Sequence, residues 1–200
     1  MRKGLLYIPG KGGAANEAAR YRPLFPDWDV VGMDYRADTP WDAQEEFCRF
    51  YDRFSASHER IILIANSIGA FFAMSALSEK RIEKSYFISP IVDMERLITD
   101  RMQQAGISER ELMERGAIDV GAEERLSWQY LSWVREHPVS WRAPTAVLYG
   151  AQDRLQSLRT IRAFAAEIGA DLTVMEDGER PAAAQASDHS AAMTSAKMRI

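Results

Sequence analysis

A serine set between small residues, where a strand gives way to a helix, is the first place in this chain whose residue types and spacing could do chemistry. The stretch is IILIANSIGAFF, residues 61–72. The branched apolar run up to Ala65 reads as a short strand buried on both faces, and GAFFAMSAL after it has the length and composition of a helix. Between them, Ala65-Asn66-Ser67-Ile68-Gly69 has the form small-x-Ser-x-Gly, the nucleophile-elbow pattern with alanine at the first small position. Such a turn is so tight that larger flanking side chains would collide with the neighbouring strand and helix, and the tightness lifts the hydroxyl above the sheet edge. Ser67 could then attack an electrophilic carbon while the Ile68 N–H, at the helix start, steadies the resulting oxyanion.

A serine hydroxyl alone is a poor nucleophile near neutral pH; a base must take its proton during attack and return it to the leaving group. The residues that could complete such a site fall at the ends of other predicted strands. Pro9-Gly10-Lys11-Gly12-Gly13 comes after the first strand, and a glycine-rich loop there can deliver a second backbone donor, the Lys11 N–H. Tyr149-Gly150-Ala151-Gln152-Asp153 comes at the end of the fifth, placing the Asp153 carboxylate after the serine in the order Ser, acid, His. Of the three histidines, His58 and His137 read as surface-loop residues. His189 comes after the acid and lies beyond the last strand, which makes it the candidate base. Asp93 is a reserve acid, better suited to capping the helix after it.

The elements that must hold these residues are six short apolar runs, at 4–9, 29–35, 61–66, 85–90, 145–150 and 171–176, with helical stretches between them. Strands alternating with helices predict an α/β fold with a doubly wound, mostly parallel sheet. Thr39-Pro40 caps and opens one helix, with Trp41, Phe47, Phe50, Tyr51 and Phe54 on a broad apolar face. Residues 93–142 are too many for a simple crossover; two or three helices there would form a small cap over the strand ends, with Trp128, Tyr130, Leu131 and Trp133 turned to the pocket or the core.

Two hundred residues with 46% apolar content suit a single domain. A net charge of -4, with 25 basic residues scattered along the chain, argues against nucleic acid or an anionic membrane as partner. The opening MRKGLLYI has too short an apolar part for a signal peptide and reads as a strand, so the expected location is the cytoplasm. Cys48, the only cysteine, excludes an intramolecular disulfide and a cysteine-rich zinc site, and reads as a small apolar helix residue. Three isolated histidines without H-E-x-x-H supply no metal centre, and no P-loop pattern occurs. No cofactor is expected. Residues 181–200 break with the rest in composition, with seven alanines and no aromatic, and read as a frayed tail or a terminal helix.

With the serine turn, the Pro9-Gly10 loop, Asp34-Tyr35-Arg36 after the second strand, and Leu148-Tyr149-Gly150 with Asp153 just beyond, the chain resembles the α/β-hydrolase family, in particular small bacterial serine hydrolases. The likeness runs from residue 4 to about residue 179. It implies an α/β-hydrolase domain with a small helical cap, acting without cofactor on small acyl substrates, with a carboxylesterase as the leading expectation. Ser67 would form the acyl-enzyme, Ile68 and Lys11 would hold the oxyanion, and Asp153 would orient His189. Two departures stand out. The oxyanion loop has Pro9-Gly10 where such hydrolases usually carry His-Gly, and Arg180 occupies the place of the family's histidine after the last strand. Arginine is permanently protonated and cannot act as a base. A hydrolase-fold binding protein without a base is therefore the alternative, and the composition break after Glu179 is what a shifted reading frame would leave. A further alternative is dinucleotide binding: Gly10-Lys11-Gly12-Gly13-Ala14-Ala15 fits G-x-G-x-x-A, with Asp34 at the end of the next strand.

Overall fold

The computed structural model describes residues 2–121 and 124–176. In chain order the strands are β1 (Lys3–Ile8), β2 (Asp29–Gly32), β3 (Arg60–Asn66), β4 (Lys84–Ile88), β5 (Ala117–Asp119), β6 (Arg125–Ser127), β7 (Thr145–Gly150) and β8 (Asp171–Met175). Six of them form one sheet in the order β2-β1-β3-β4-β7-β8, every pairing parallel. The helices are α1 (Pro40–Ser55), α2 (Ile68–Leu77), α3 (Met94–Ala105), α4 (Glu109–Arg115), α5 (Trp128–Glu136) and α6 (Leu158–Glu167), with successive 3₁₀ turns over Ala15–Leu24. No helix among the described residues is long and apolar enough to cross a membrane.

Among the described residues, the main unit comprises 2–92 and 140–176. Its central strands are apolar on both faces because both are covered, as a parallel sheet requires. On β1, Leu5 and Tyr7 join Ile62, Ile64, Tyr86 and Ile88 in one core, closed by Ala18, Tyr21 and Phe25 of the 3₁₀ segment and the turn after it. Gly4 and Ile8 point the other way, toward Phe54 of α1 and the start of α2. There Phe47 and Phe72 meet edge to face, ring centroids 6.1 Å apart, joining α1 to α2. Each such aliphatic or aromatic side chain contributes roughly 1.5–3 kcal/mol by leaving water.

Local chemistry sets the helix starts. Thr39 accepts the Asp42 N–H and Pro40 opens α1, as its sequence predicts. The buried face of α1 is Pro40, Ala43, Phe47, Tyr51 and Phe54, whereas Trp41 and Phe50 are only half-buried at its margins. His58 departs from its expected place in a surface loop. It is 7% exposed, stacked on Phe54 at 4.2 Å, with Nδ1 2.8 Å from the Phe54 carbonyl oxygen and Nε2 3.1 Å from Asp29 Oδ2. The amino ends of β1 and β3 are packed against the end of α1 there, and an aromatic ring with two polar edges fills that corner.

The strand order reverses beside β1: the chain steps from β1 outward to β2, then returns to lay β3 on the other side. Loops leaving the carboxyl ends of β1 and β3 therefore diverge to opposite faces and open a crevice, where open α/β sheets bind ligands. The second unit, residues 93–139, contains α3, α4, α5 and the antiparallel pair β5-β6, which the sequence pattern did not announce. Within it, Arg135 bridges Glu95 of α3 and Glu109 of α4, and Trp133 stacks on His137 at 4.3 Å.

The head of α2 comes very near β1 at Gly69, where a Cβ would lie 2.2 Å from the Pro9 carbonyl oxygen and 2.9 Å from Ile8 Cγ2. Backbone cannot yield as a flexible side chain can. Gly69→Ala is expected to cost about 3 kcal/mol, read as a fall in the denaturation midpoint; a midpoint equal to wild type would show that α2 can draw back from β1.

Candidate active site

Ser67 leaves the end of β3 with φ 55° and ψ -123°, a backbone region that favours glycine. Conformations of this kind cost of order 1–3 kcal/mol and persist only where surroundings over-determine them. Here they do. The Ser67 N–H donates to the Ile88 carbonyl (3.0 Å), and its own carbonyl accepts from Ala70 N–H (3.1 Å) and Ile91 N–H (3.1 Å). At roughly 0.5–1.5 kcal/mol each, three such bonds offset the strain. Ile68 is the first residue of α2, so its N–H has no acceptor within the helix.

The loop after β1 lies against this turn. A Cβ on Gly10 would come within 2.9 Å of Ser67 Cβ and 3.6 Å of its Oγ, so glycine allows the loop backbone to approach the hydroxyl. Gly13 N–H closes a turn onto the Gly10 carbonyl (3.0 Å), with Gly12 at φ +75°. Lys11 is exposed within that turn. Tyr35 donates its hydroxyl to the Pro9 carbonyl (2.9 Å), and Asp34 Oδ1 accepts the Ala15 N–H (3.1 Å). Burial, with Glu46 and Asp38 adding to it, pushes the Tyr35 phenol well above its ordinary range, which keeps it a donor. The sequence marked 34–36 as a turn; its work as the tether of the Pro9-Gly10 loop emerges only in three dimensions.

These loops enclose a cavity of about 270 Å³ lined by residues 9–13 and 34–38 with Ile68 and Phe72. The glycine run does not make a dinucleotide cradle. The chain continues from it as a 3₁₀ segment rather than an α-helix whose N-terminus would face a pyrophosphate, and Asp34, the would-be ribose ligand, is bonded to the loop itself. Among the described residues, no group of three or more His, Cys, Asp or Glu could hold a metal ion.

Asp153 is 8% exposed on the loop after β7. Its N–H donates to the Gly150 carbonyl (3.0 Å), and its Oδ1 accepts the Leu155 N–H (2.8 Å), a short Asx turn that fixes the carboxyl group. The strands bearing Ser67 and Asp153, β3 and β7, flank β4, so their axes are separated by two strand spacings, roughly 10 Å. One imidazole can bridge such a gap. His189, the expected base, and Arg180, the residue in the family's histidine position, lie outside the described residues, as does the rest of 181–200. Asp93, the reserve acid, caps α3 through the Arg96 N–H (2.9 Å). Cys48 is half-buried, its thiol 3.2 Å from the Ala76 carbonyl oxygen.

No protein-family model matches the chain. No curated protein matches it by sequence. Solved structures do match. Est1E from Butyrivibrio proteoclasticus superposes with a TM-score of 0.76 at 14% identity, covering 98% of this chain and 87% of that one. Mouse alpha/beta hydrolase domain-containing protein 10 gives 0.72 at 14% identity over 98% and 88%. The chain has the α/β-hydrolase fold. A Pyrococcus furiosus esterase, at TM-score 0.60 and 19% identity over 98% and 80%, has a similar fold. An elbow serine of this fold sits on a strand-to-helix turn, the kind of turn on which Ser67 lies; the motifs and the topology of the sheet thus agree on fold.

Both the serine turn and the half-buried thiol can be tested directly. Ser67→Gly should be about 1 kcal/mol more stable than Ser67→Ala, since glycine alone relieves the positive φ; equal denaturation midpoints would mean the turn relaxes once the hydroxyl is gone. Burial pushes the Cys48 thiol up, Lys80 opposing and Asp52 adding, so less of it is thiolate at pH 8 than in a free thiol. Iodoacetamide should react with it more slowly than with glutathione and leave any Ser67-dependent turnover intact. Faster reaction, or loss of turnover, would contradict that placement.

Proposed function

We propose that this protein is a serine hydrolase, acting as a carboxylesterase on small acyl esters. The observation that carries the reading is the strained Ser67 backbone, held at the head of α2 against the Gly10 loop in an α/β-hydrolase fold. Backbone strain of this kind clusters at active sites, and here it sets the Ser67 side chain beside the Gly10 loop.

In the proposed reaction Ser67 Oγ attacks the acyl carbonyl, and the Ile68 and Lys11 N–H groups hold the oxyanion. His189 takes the serine proton and returns it to the departing alcohol, with Asp153 orienting the ring. A water, activated by the same histidine, then releases the acid. The cavity beside Ile68 and Phe72, about 270 Å³, suits a short acyl or alcohol group. The similarity to Est1E and to the Pyrococcus furiosus esterase supports hydrolysis of an ester. No cofactor enters this scheme, and the protein is proposed to work in the cytoplasm.

A second reading is favoured by one residue. Arg180 stands where the family's base would, so the chain could keep the fold and the pocket as a binding protein without turnover. Loss of the base alone costs on the order of 10⁶ in kcat in a well-studied serine protease.

The deciding assay is steady-state hydrolysis of nitrophenyl acetate and butyrate by wild type, Ser67→Ala and His189→Ala. Turnover lost in both variants is the expected result. Turnover lost only with Ser67 would reassign the base. Wild-type turnover no greater than that of Ser67→Ala would leave the binding-protein reading in its place.

A further inference from the structure

Beyond the last ladder contact between β4 and β7, where Ser89 N–H meets the Leu148 carbonyl at 2.7 Å, the loops leaving these strands no longer share sheet hydrogen bonds. One of them, residues 89–92, holds the serine turn through Ile91 N–H. The other, residues 151–156, carries Asp153. A buried amide side chain joins them. Gln156, 3% exposed, accepts the Val92 N–H on Oε1 (3.2 Å) and donates Nε2 to the Leu155 carbonyl (3.0 Å). Its own carbonyl accepts the hydroxyl of Tyr149, itself buried in β7 (2.6 Å).

We propose that Gln156 is a positioning residue that sets the Asp153 loop against the Ser67 turn. The inference rests on the serine-hydrolase reading of the site. The connection is continuous: the Ser67 carbonyl to Ile91 N–H, Val92 N–H to Gln156, and Gln156 through Leu155 to the Asp153 carboxyl, whose Oδ1 is held by the Leu155 N–H. A methionine or leucine could fill the volume of Gln156. Neither could hold the Val92 N–H, and a part-buried donor left unpaired draws its loop away to find water or another acceptor. The acid would then move relative to the serine while both keep their local turns. A displacement of about 1 Å at such a site can cost roughly 100-fold in rate, with little effect on substrate binding.

The test is Gln156→Met, close in shape and without polar groups to meet Val92, compared with Phe54→Leu, a core substitution at the opposite, amino-terminal end of the sheet. Native-state hydrogen exchange should quicken about tenfold at Ile91 and Val92 in Gln156→Met and stay unchanged at Leu63 to Ala65 within β3. With nitrophenyl butyrate, kcat should fall roughly 10- to 100-fold with KM within about twofold, while Phe54→Leu keeps the wild-type kcat. Unchanged exchange at Ile91 and Val92 overturns the proposal, as does an equal loss of kcat in Phe54→Leu. Wild-type protein with no Ser67-dependent turnover defeats the hydrolase reading instead; the exchange comparison then still decides whether Gln156 joins the two loops.

Discussion

Everything at the candidate site depends on one constraint: a non-glycine residue held at positive φ where β3 becomes α2. Of the three backbone bonds that sustain it, one comes from the first turn of α2 and two from Ile88 at the end of β4 and Ile91 just beyond it, so the serine turn draws on the in-register pairing of β3 with β4. The same geometry drives the head of α2 against β1, with Gly69 on the Pro9 carbonyl and Gly10 on Ser67. Strand order, the two glycines and the strained serine are thus consequences of one close packing among three adjacent strands. Loosening any of them would let the turn relax toward an ordinary helix start.

How much of this the sequence announced depended on the range of the interaction. The central parallel strands are apolar on both faces and stood out as short apolar runs, the half-exposed edge strands β2 and β8 were marked by shorter ones, and the start of α1 was written in Thr39 and Pro40. The small residues at 65 and 69 were visible because steric exclusion acts between neighbours in an already inferred turn. His58 was misread because a histidine beside Ser57 and Glu59 looks solvated; only the meeting of Gly4, Phe54 and Asp29 around it makes a buried niche. The β5-β6 pair has three residues a side, too few for a periodic signal. Gln156 and Tyr35 escaped for a different reason. Each makes a hydrogen bond to a backbone group far away in sequence, and although the 34–36 turn and the Pro9-Gly10 loop were both marked, nothing local shows that one binds the other.

The glycine-rich loop shows how one local pattern serves two architectures. Gly10 to Ala15 satisfies a dinucleotide fingerprint as text, yet the function of that fingerprint resides in the α-helix after it. Here the chain continues as 3₁₀ turns pinned by Glu17, whose carboxylate accepts from Ala14 N–H and from the Tyr7 hydroxyl. A 3₁₀ segment with Pro23 inside it offers no aligned row of amides to a phosphate. The loop turns toward Ser67 because Tyr35 and Asp34 pull its two ends down onto β2.

The in-register pairing of Ile88 with Leu148 joins strands that have the whole compact 93–139 unit between them in the chain. Closing a chain excursion grows costlier only slowly with its length, about 0.6 kcal/mol per doubling. During synthesis, β1 to β4 and the serine turn emerge and can pair before any of β7 exists, and the Asp153 loop arrives only after the whole excursion has been made. Evolution can therefore exchange or resize that excursion with little thermodynamic penalty to the sheet, and the serine turn would be inherited as a unit apart from the Asp153 loop.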